Sequence, residues 1–188
     1  MKPEAKKPHF DKSWTLFLDR DGVINVKIEN DYVRQWKDFV FLPGVKEALK
    51  DLNSLFGTIV IVTNQQGIGR GIFTRGDLEF THGCMLDVIQ QSGGRIDKIY
   101  FCPALAADND PCRKPNTGMA LEAKKDFPHI DFKRSVIVGD SITDMEFGRQ
   151  LGMITVFIRD AIPPGEEHKV DYHFRSLKQF ADFAILLT

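Results

Sequence analysis

Acidic and polar side chains follow apolar runs at three places in this chain. Asp19 and Asp21 follow the first run, Thr63 and Asn64 follow the second, and Asp140 follows a later one. In an open sheet of parallel strands, residues at the carboxyl ends of the strands meet in one crevice, where ligands bind. Crowded carboxylates repel one another unless a hard divalent cation joins them, and Mg²⁺ suits such a place beside a phosphate. The pattern therefore predicts a magnesium site next to a phosphate pocket.

Two cationic side chains lie between the second run and the later one, in the segment Cys112-Arg113-Lys114-Pro115. Both can neutralise phosphate oxygens, and the planar guanidinium of Arg113 can bind two oxygens at once. This segment is therefore predicted to face the same pocket.

These residue types support phosphoryl transfer through an aspartate. Asp19 is predicted to attack phosphorus in line and to form an aspartyl-phosphate. Asp21 is predicted to protonate the leaving oxygen and then to take a proton from the hydrolysing water, a role that calls for a raised carboxyl pKa. Thr63 and Lys114 would hold the phosphoryl oxygens. Asp19, the Asp21 carbonyl and Asp140 would hold Mg²⁺, which offsets the developing charge.

Strands and helices that alternate along the chain must position these groups. Five short runs rich in Ile, Val and Phe lack polar alternation, as do strands buried on both faces of a parallel sheet. They are Thr15–Leu18, Thr58–Thr63, Lys98–Cys102, Ser135–Gly139 and Ile154–Ile158. The helix candidates are Val45–Leu55, Asp77–Gln91, Gly118–Phe127, Thr143–Leu151 and Leu177–Leu187. The alternation predicts an α/β fold with right-handed crossovers in a doubly wound sheet.

The overall composition is that of an ordinary globular protein, with 188 residues, 43% apolar and 27% charged, and a net charge of -1. The absence of an excess of basic residues argues against nucleic acid as a partner. No apolar stretch is long enough to cross a membrane. Met1 to Lys12 lack the apolar region of a signal peptide, and three cysteines do not suggest a disulfide framework, so a cytoplasmic location is expected. We predict a flexible arm over residues 1–13 and one domain over residues 14–188.

The chain resembles the haloacid dehalogenase superfamily of phosphohydrolases at that superfamily's four motifs. They correspond here to Asp19-Arg20-Asp21-Gly22, Thr63, Lys114, and Gly139-Asp140 with Asp144. Within the superfamily the chain is similar to the D-glycero-D-manno-heptose 1,7-bisphosphate phosphatase family, whose subgroup includes histidinol-phosphate phosphatases. The similarity covers roughly Thr15 to Ile158 and is carried by segments such as 18–25, 62–71 and 112–115. It implies a Rossmann-like three-layer sandwich with a mainly parallel central sheet and no large cap domain.

The resemblance also implies roles for single residues. It assigns the roles given above to Asp19, Asp21, Lys114 and Asp140. It adds that Thr63 and Asn64 contact phosphate and substrate, and that Arg113 lies near the sugar or its second phosphate. Asp144 either caps a helix near Thr143 or orients Lys114 or Asp140 from behind. Asn25 and Arg70 are given no role, because either can be an ordinary surface residue.

The chain departs from the family at its structural zinc site. The family pattern is Cys-x-His followed by Cys-x-Cys before the Arg-Lys pair, whereas this chain has Cys102, Ala104, Asp110 and Cys112 in those places. Structural zinc normally closes four nitrogen or sulfur ligands. We therefore expect that zinc has been lost and that the two cysteines are remnants. A disulfide between them is conceivable, but a cytosolic setting argues against it.

The favoured hypothesis is removal of the C7 phosphate from D-glycero-D-manno-heptose 1,7-bisphosphate, because Arg113 and segment 64–71 suit a second anionic group. Histidinol phosphate is an alternative substrate, and so is a polynucleotide 3′ end, which the charge balance disfavours. A non-catalytic metabolite-binding module and transfer to an acceptor other than water are further alternatives. The expected partner is a small phosphorylated metabolite, and a monomer is expected for so small a capless enzyme.

Overall fold

The computed structural model describes residues 8–187, which are built around one six-stranded sheet. The strands are β1 (Thr15–Leu18), β2 (Thr58–Asn64), β3 (Lys98–Cys102), β4 (Ser135–Gly139), β5 (Ile154–Ile158) and β6 (Tyr172–Phe174). All neighbouring pairs are parallel, in the order β3-β2-β1-β4-β5-β6. The predicted α/β class and the five predicted strands are confirmed. The sixth strand was missed, because its three residues, with an exposed His173 in the middle, form no apolar run.

Helices cover both faces of the sheet, which makes the predicted three layers. They are α1 (Val45–Leu55), α2 (Arg75–Gln91), α3 (Gly118–Asp126), α4 (Ile142–Leu151) and α5 (Leu177–Ile185). Successive side chains of a strand point to opposite faces. In β1, Leu16 and Leu18 accordingly pack in the core beside α1, α2 and α5, whereas Phe17 packs in the core beside α3 and α4. Burial on both faces explains why the strands are apolar throughout.

Side-chain caps fix two helix starts that differ slightly from the predicted ones. α2 begins at Arg75 rather than Asp77, because Thr74 and Asp77 form a capping box around the first turn. α4 begins at Ile142 rather than Thr143, because Ser141 occupies the cap position and its backbone N–H donates to Asp144. Both helices start directly after loops that reach the carboxyl edge of the sheet.

The segments that leave this edge are short and carry no large cap domain, as predicted. Residues 19–44 contain a single 3₁₀ turn, Trp36–Asp38, and residues 103–117 contain another, Ala106–Asp108. Residues 65–74 contain no regular helix or strand. Small molecules can therefore reach the edge of the sheet without a domain above it. None of the helices in residues 8–187 is long and apolar enough for a membrane span.

The chain joins the folded core earlier than the predicted boundary at residue 14. Phe10 is only 2% exposed, packs edge-on against Trp14 with ring centroids 5.1 Å apart, and donates its N–H to the Leu187 carbonyl at 3.2 Å. The predicted flexible arm is therefore too long. A single buried aromatic ring among lysines produces no hydrophobic periodicity from which its burial could be predicted. Residues 1–7 of that predicted arm lie outside the described residues.

Candidate active site

The ends of β1, β2 and β4, with the segments that follow β1, β2 and β3, meet at a cavity of about 520 Å³. Six of the predicted site residues line it: Asp19, Asp21, Thr63, Asn64, Arg113 and Lys114. Asp140, at the end of β4, and Asp144, in the first turn of α4, are 3% and 0% exposed. Carboxylate oxygens of Asp19, Asp140 and Asp144 lie within 4.8 Å of one another. Residues distant in sequence are thus brought together as the parallel topology requires.

Lys114 is a buried ammonium group held from several sides. Its Nζ lies 2.5 Å from Asp144 Oδ1 and 3.0 Å from Asp19 Oδ1, and donates to the Val62 carbonyl at 2.8 Å. Asn64 fixes its backbone, since Asn64 Oδ1 accepts from the Lys114 N–H at 3.0 Å and Asn64 Nδ2 donates to the Lys114 carbonyl at 3.1 Å. Lys114 is therefore positioned by β2, and Asn64 anchors it as well as lining the cavity.

Asp144 both caps α4 and contacts the lysine, so the two alternatives left open by the sequence coexist. Its Oδ2 accepts from the N–H of Ser141 at 3.0 Å and from the hydroxyl of Ser141 at 2.5 Å. Its Oδ1 forms the ion pair with Lys114. The backbone of Gly139 approaches so closely that a Cβ there would lie 2.2 Å from the Asp144 Cβ. Gly139 thus makes room for the carboxylate beneath the site.

Negative charge is in surplus around Asp19 and Asp140, which suits a cation. Burial raises the pKa of Asp19 to about 7, against the lowering effect of the Lys114 ammonium. The neighbouring carboxylates raise it further: those of Asp144, Asp140 and Asp21. Asp140 Oδ1 is buried without a hydrogen-bond partner among the described residues. A divalent cation with oxygen ligands would satisfy that atom and offset the repulsion, so the residues present fit Mg²⁺.

Asp21 differs, because hydrogen-bond donors surround its carboxylate. Burial alone raises its pKa, but Arg20 Nη2 donates to both oxygens at 2.9 and 3.0 Å. Asn25 Nδ2 donates to Oδ1 at 2.9 Å and Gln65 Nε2 to Oδ2 at 3.0 Å. Together these donors lower the pKa of Asp21, so the predicted raised pKa is wrong for the protein without substrate. Asn25 is fully buried and belongs to the site, not to the surface.

The guanidinium of Arg20 reaches Asp21 from the interior, where His82 supports it. Arg20 is 1% exposed, and its Nη1 lies 3.1 Å from His82 Nε2 on α2. Burial and the positive charge of Arg20 lower the pKa of His82 to about 3. His82 is therefore a neutral ring whose Nε2 accepts a hydrogen bond from Arg20.

Because of this buried histidine, the free energy of unfolding is expected to decrease as the pH is lowered. Its folded pKa of about 3 lies below the unfolded value of 6.5, so the unfolded chain takes the proton first as pH drops from 6.5 toward 3. At pH 5 the loss relative to pH 8 is about 2 kcal/mol from this group. Urea unfolding of the wild type and of His82→Gln at both pH values measures it. The difference in unfolding free energy between pH 8 and pH 5 should be smaller in His82→Gln by about 2 kcal/mol. In the control His9→Gln, which changes an exposed histidine, the difference should be that of the wild type. Equal pH dependence in all three proteins would contradict the expectation.

Two further cations line the mouth of the cavity. Arg70 and Arg113 both face it, together with Tyr32, and Arg113 Nη1 donates to the Ala104 carbonyl at 3.1 Å. Burial lowers the pKa of Arg113 and the nearby charge of Arg70 lowers it further, against Tyr32. Neither guanidinium forms an ion pair with a carboxylate among residues 8–187. The mouth therefore offers two cations without a carboxylate partner in the described part of the chain, although Glu29 also lines the cavity. Arg70 belongs to segment 64–71, which was predicted to suit a second anionic group, and it now joins the candidate residues.

Cys102 and Cys112 form a disulfide, with their Cα atoms 5.5 Å apart. The expectation against this pairing is wrong for the structure, because the intervening loop returns Cys112 to the end of β3. Asp110 supports the return, since its Oδ1 accepts from the Cys112 N–H at 2.8 Å. Ligand atoms of Cys102, Asp110 and Cys112 lie within 4.8 Å of one another, and Ala104 offers none. The loss of zinc stays a prediction.

Known proteins resemble this chain along most of its length. A family model described as polynucleotide kinase 3 phosphatase matches residues 11–181. A D-glycero-alpha-D-manno-heptose-1,7-bisphosphate 7-phosphatase of Mycobacterium bovis is 40% identical over 138 residues, 73% of each chain. A protein of the same name from Campylobacter jejuni is 36% identical over 174 residues, 92% of this chain and 96% of that protein.

A solved structure has a similar fold over most of the length of this chain. It is the D,D-heptose 1.7-bisphosphate phosphatase from B. bronchiseptica complexed with magnesium and phosphate. The TM-score is 0.81 at 27% sequence identity, and the match covers 93% of this chain and 99% of that chain. The likeness therefore extends over nearly the whole of both chains.

Proposed function

Because this chain belongs to the haloacid dehalogenase phosphatases, in the family of the D-glycero-D-manno-heptose 1,7-bisphosphate 7-phosphatases, we propose that it removes the C7 phosphate of that heptose bisphosphate. The chain is a phosphoric monoester hydrolase. The observation that carries the choice of substrate is the pair Arg70 and Arg113 at the mouth of the cavity. A second phosphate group can meet these two guanidinium groups while the first lies beside Asp19.

The proposed reaction proceeds through the chain's own side chains. Asp19 attacks phosphorus, the bond to the leaving oxygen breaks, and an aspartyl-phosphate forms. Thr63 and Lys114 hold the phosphoryl oxygens during both halves of the reaction. Mg²⁺, held by Asp19, the Asp21 carbonyl and Asp140, would supply positive charge to offset the charge that develops on the phosphoryl group.

Asp21 is proposed to move the protons. Its lowered pKa keeps it ionised in the free protein, and the ionised form is the one that can take a proton, in the second half, from the water that attacks the aspartyl-phosphate. An incoming phosphate dianion raises the pKa of a neighbouring carboxyl by like-charge repulsion. Substrate therefore favours the protonated Asp21 that donates to the leaving oxygen in the first half.

Phosphate release from a panel of sugar phosphates with Mg²⁺ tests the proposal. We expect kcat/KM for heptose 1,7-bisphosphate to exceed that for histidinol phosphate. Arg113→Met and Arg70→Met should each raise KM for the bisphosphate by about 10- to 100-fold, the worth of a charge-assisted hydrogen bond, and change KM for a heptose monophosphate little. Arg134→Met, which changes an exposed arginine outside the cavity, should leave both values unchanged. Equal losses on both substrates would contradict a second-phosphate site.

A polynucleotide 3′ end is the second candidate, because the matching family model is described by that activity. The net charge of -1 speaks against it, since backbone phosphates are bound by clusters of lysine and arginine. Binding of a 3′-phosphorylated oligonucleotide that weakens steeply with salt would support this candidate. We propose that no nucleic acid binds and that the partner is a small metabolite.

We further propose a cytoplasmic monomer without structural zinc. In a reducing cytoplasm the disulfide between Cys102 and Cys112 would open, and the two thiolates with Asp110 would make only three ligands, one fewer than structural zinc normally takes. Elemental analysis of reduced protein and light scattering test these two points. About one zinc per chain, or a dimer mass at micromolar concentration, would contradict them.

A further inference from the structure

Lys27 is a cation of the cavity that none of the roles above employs. It lies in the segment between β1 and α1 and lines the cavity with its side chain 41% exposed. Its Nζ is 2.7 Å from Asp140 Oδ2. The sequence separation of 113 residues means that only the fold brings the two groups together.

The two oxygens of Asp140 have different surroundings. Oδ2 accepts the proton of Lys27, whereas Oδ1 is buried and has no hydrogen-bond partner among residues 8–187. The carboxylate packs closely against the backbone of Gly22, because a Cβ on that residue, whose φ is +84°, would lie 2.4 Å from Oδ2. One oxygen is thus left for a metal ion while the other faces an ammonium group.

Two lysines pair with different carboxylates of the site. Lys114 pairs with Asp19 and Asp144, and Lys27 pairs with Asp140. Lys27 differs from Lys114 in lying at the cavity wall, where its charge also acts on ligands that enter.

We propose that Lys27 is a charge-setting residue that shares Asp140 with the metal ion, weakening Mg²⁺ binding and strengthening phosphate binding. The proposal rests on the magnesium-dependent function proposed above. The two effects have opposite signs because an ammonium group repels a divalent cation and attracts a phosphate dianion. A residue that merely supported the fold would, when removed, weaken both ligands together.

Calorimetric titration of the phosphate-free protein with Mg²⁺ provides the first measurement. In Lys27→Met we expect a Kd for Mg²⁺ about tenfold lower than in the wild type, from the loss of one repelling charge at the cavity wall. Titration of the Mg²⁺-saturated protein with inorganic phosphate should give a Kd about tenfold higher. Lys27→Arg keeps the charge and should stay close to the wild type on both measurements.

Lys37→Met is the matched control, because Lys37 is an exposed lysine of the same segment that does not line the cavity. It should change neither Kd. A Mg²⁺ Kd that is unchanged or higher in Lys27→Met, or a phosphate Kd that is unchanged or lower, would overturn the inference and leave the proposed function intact. Failure of the wild type to bind Mg²⁺ would overturn both.

Discussion

Replacing Asp19 by Asn is expected to lower the rate of phosphate release by about 10⁴-fold or more, because an amide cannot form the aspartyl-phosphate. Folding should be retained. Burial and three neighbouring carboxylates raise the pKa of Asp19, so removal of its charge relieves repulsion as well as breaking the contact with Lys114. Phosphate release under saturating substrate and Mg²⁺, with a thermal melt of the same preparation, measures both expectations.

The control is Asp87→Asn, which changes an exposed aspartate of α2 in the same way and should leave turnover unchanged. Brief incubation with ³²P-labelled substrate should label the wild type covalently and leave the Asp19→Asn protein unlabelled. Turnover within tenfold of the wild type in a folded Asp19→Asn protein would rule out this aspartate as nucleophile.

Lys114→Met is expected to damage stability and activity together. Lys114 is 3% exposed, and its ammonium group lies 3.0 Å from Asp19 and 2.5 Å from Asp144, so its removal leaves buried carboxylates without a counter-charge. Breaking a buried ion pair in this way costs about 3–5 kcal/mol. Loss of the phosphate contact should also lower kcat/KM by about 10³-fold. Urea unfolding and steady-state kinetics measure the two effects.

The double variant Lys114→Met/Asp144→Asn separates the effects. Replacing Asp144 by Asn removes one buried charge that has lost its partner. The amide oxygen of the new side chain can still accept a hydrogen bond from Ser141, so stability should recover in part. Activity should not recover, because the group proposed to hold the phosphate is still missing. A Lys114→Met protein that unfolds within 1 kcal/mol of the wild type would refute the expected dependence of the buried carboxylates on this ammonium.

Most of the architecture could be predicted from the sequence because β1, β2 and β4 are buried on both faces, so each apolar run ends where the chain leaves the sheet. The parallel arrangement then places Asp19, Thr63 and Asp140 at one edge without any further information. The roles proposed for these residues come from the chemistry of their side chains, and their positions in the structure are compatible with those roles.

Contacts between distant residues could not be predicted. The pKa of Asp21 is lowered by Arg20, and Arg20 is in turn supported by His82, 62 residues away on α2. No local pattern marks that histidine as a partner, and a single sequence contains no signal for pairs so far apart. The same holds for Lys27 and Asp140. The electrostatics of the site therefore had to be read from the fold.

The anchoring of Lys114 has a consequence for how this enzyme can change over evolution. Its backbone is held by Asn64 of β2, and its ammonium group is held by the Val62 carbonyl, Asp19 and Asp144. None of these contacts involves residues 103–111. Substitutions in that loop, such as the alanine at position 104, can accumulate while Lys114 keeps its place. Changes in the side chains of this loop are therefore expected to alter substrate preference through Arg113, whose guanidinium donates to the Ala104 carbonyl, more than they alter turnover.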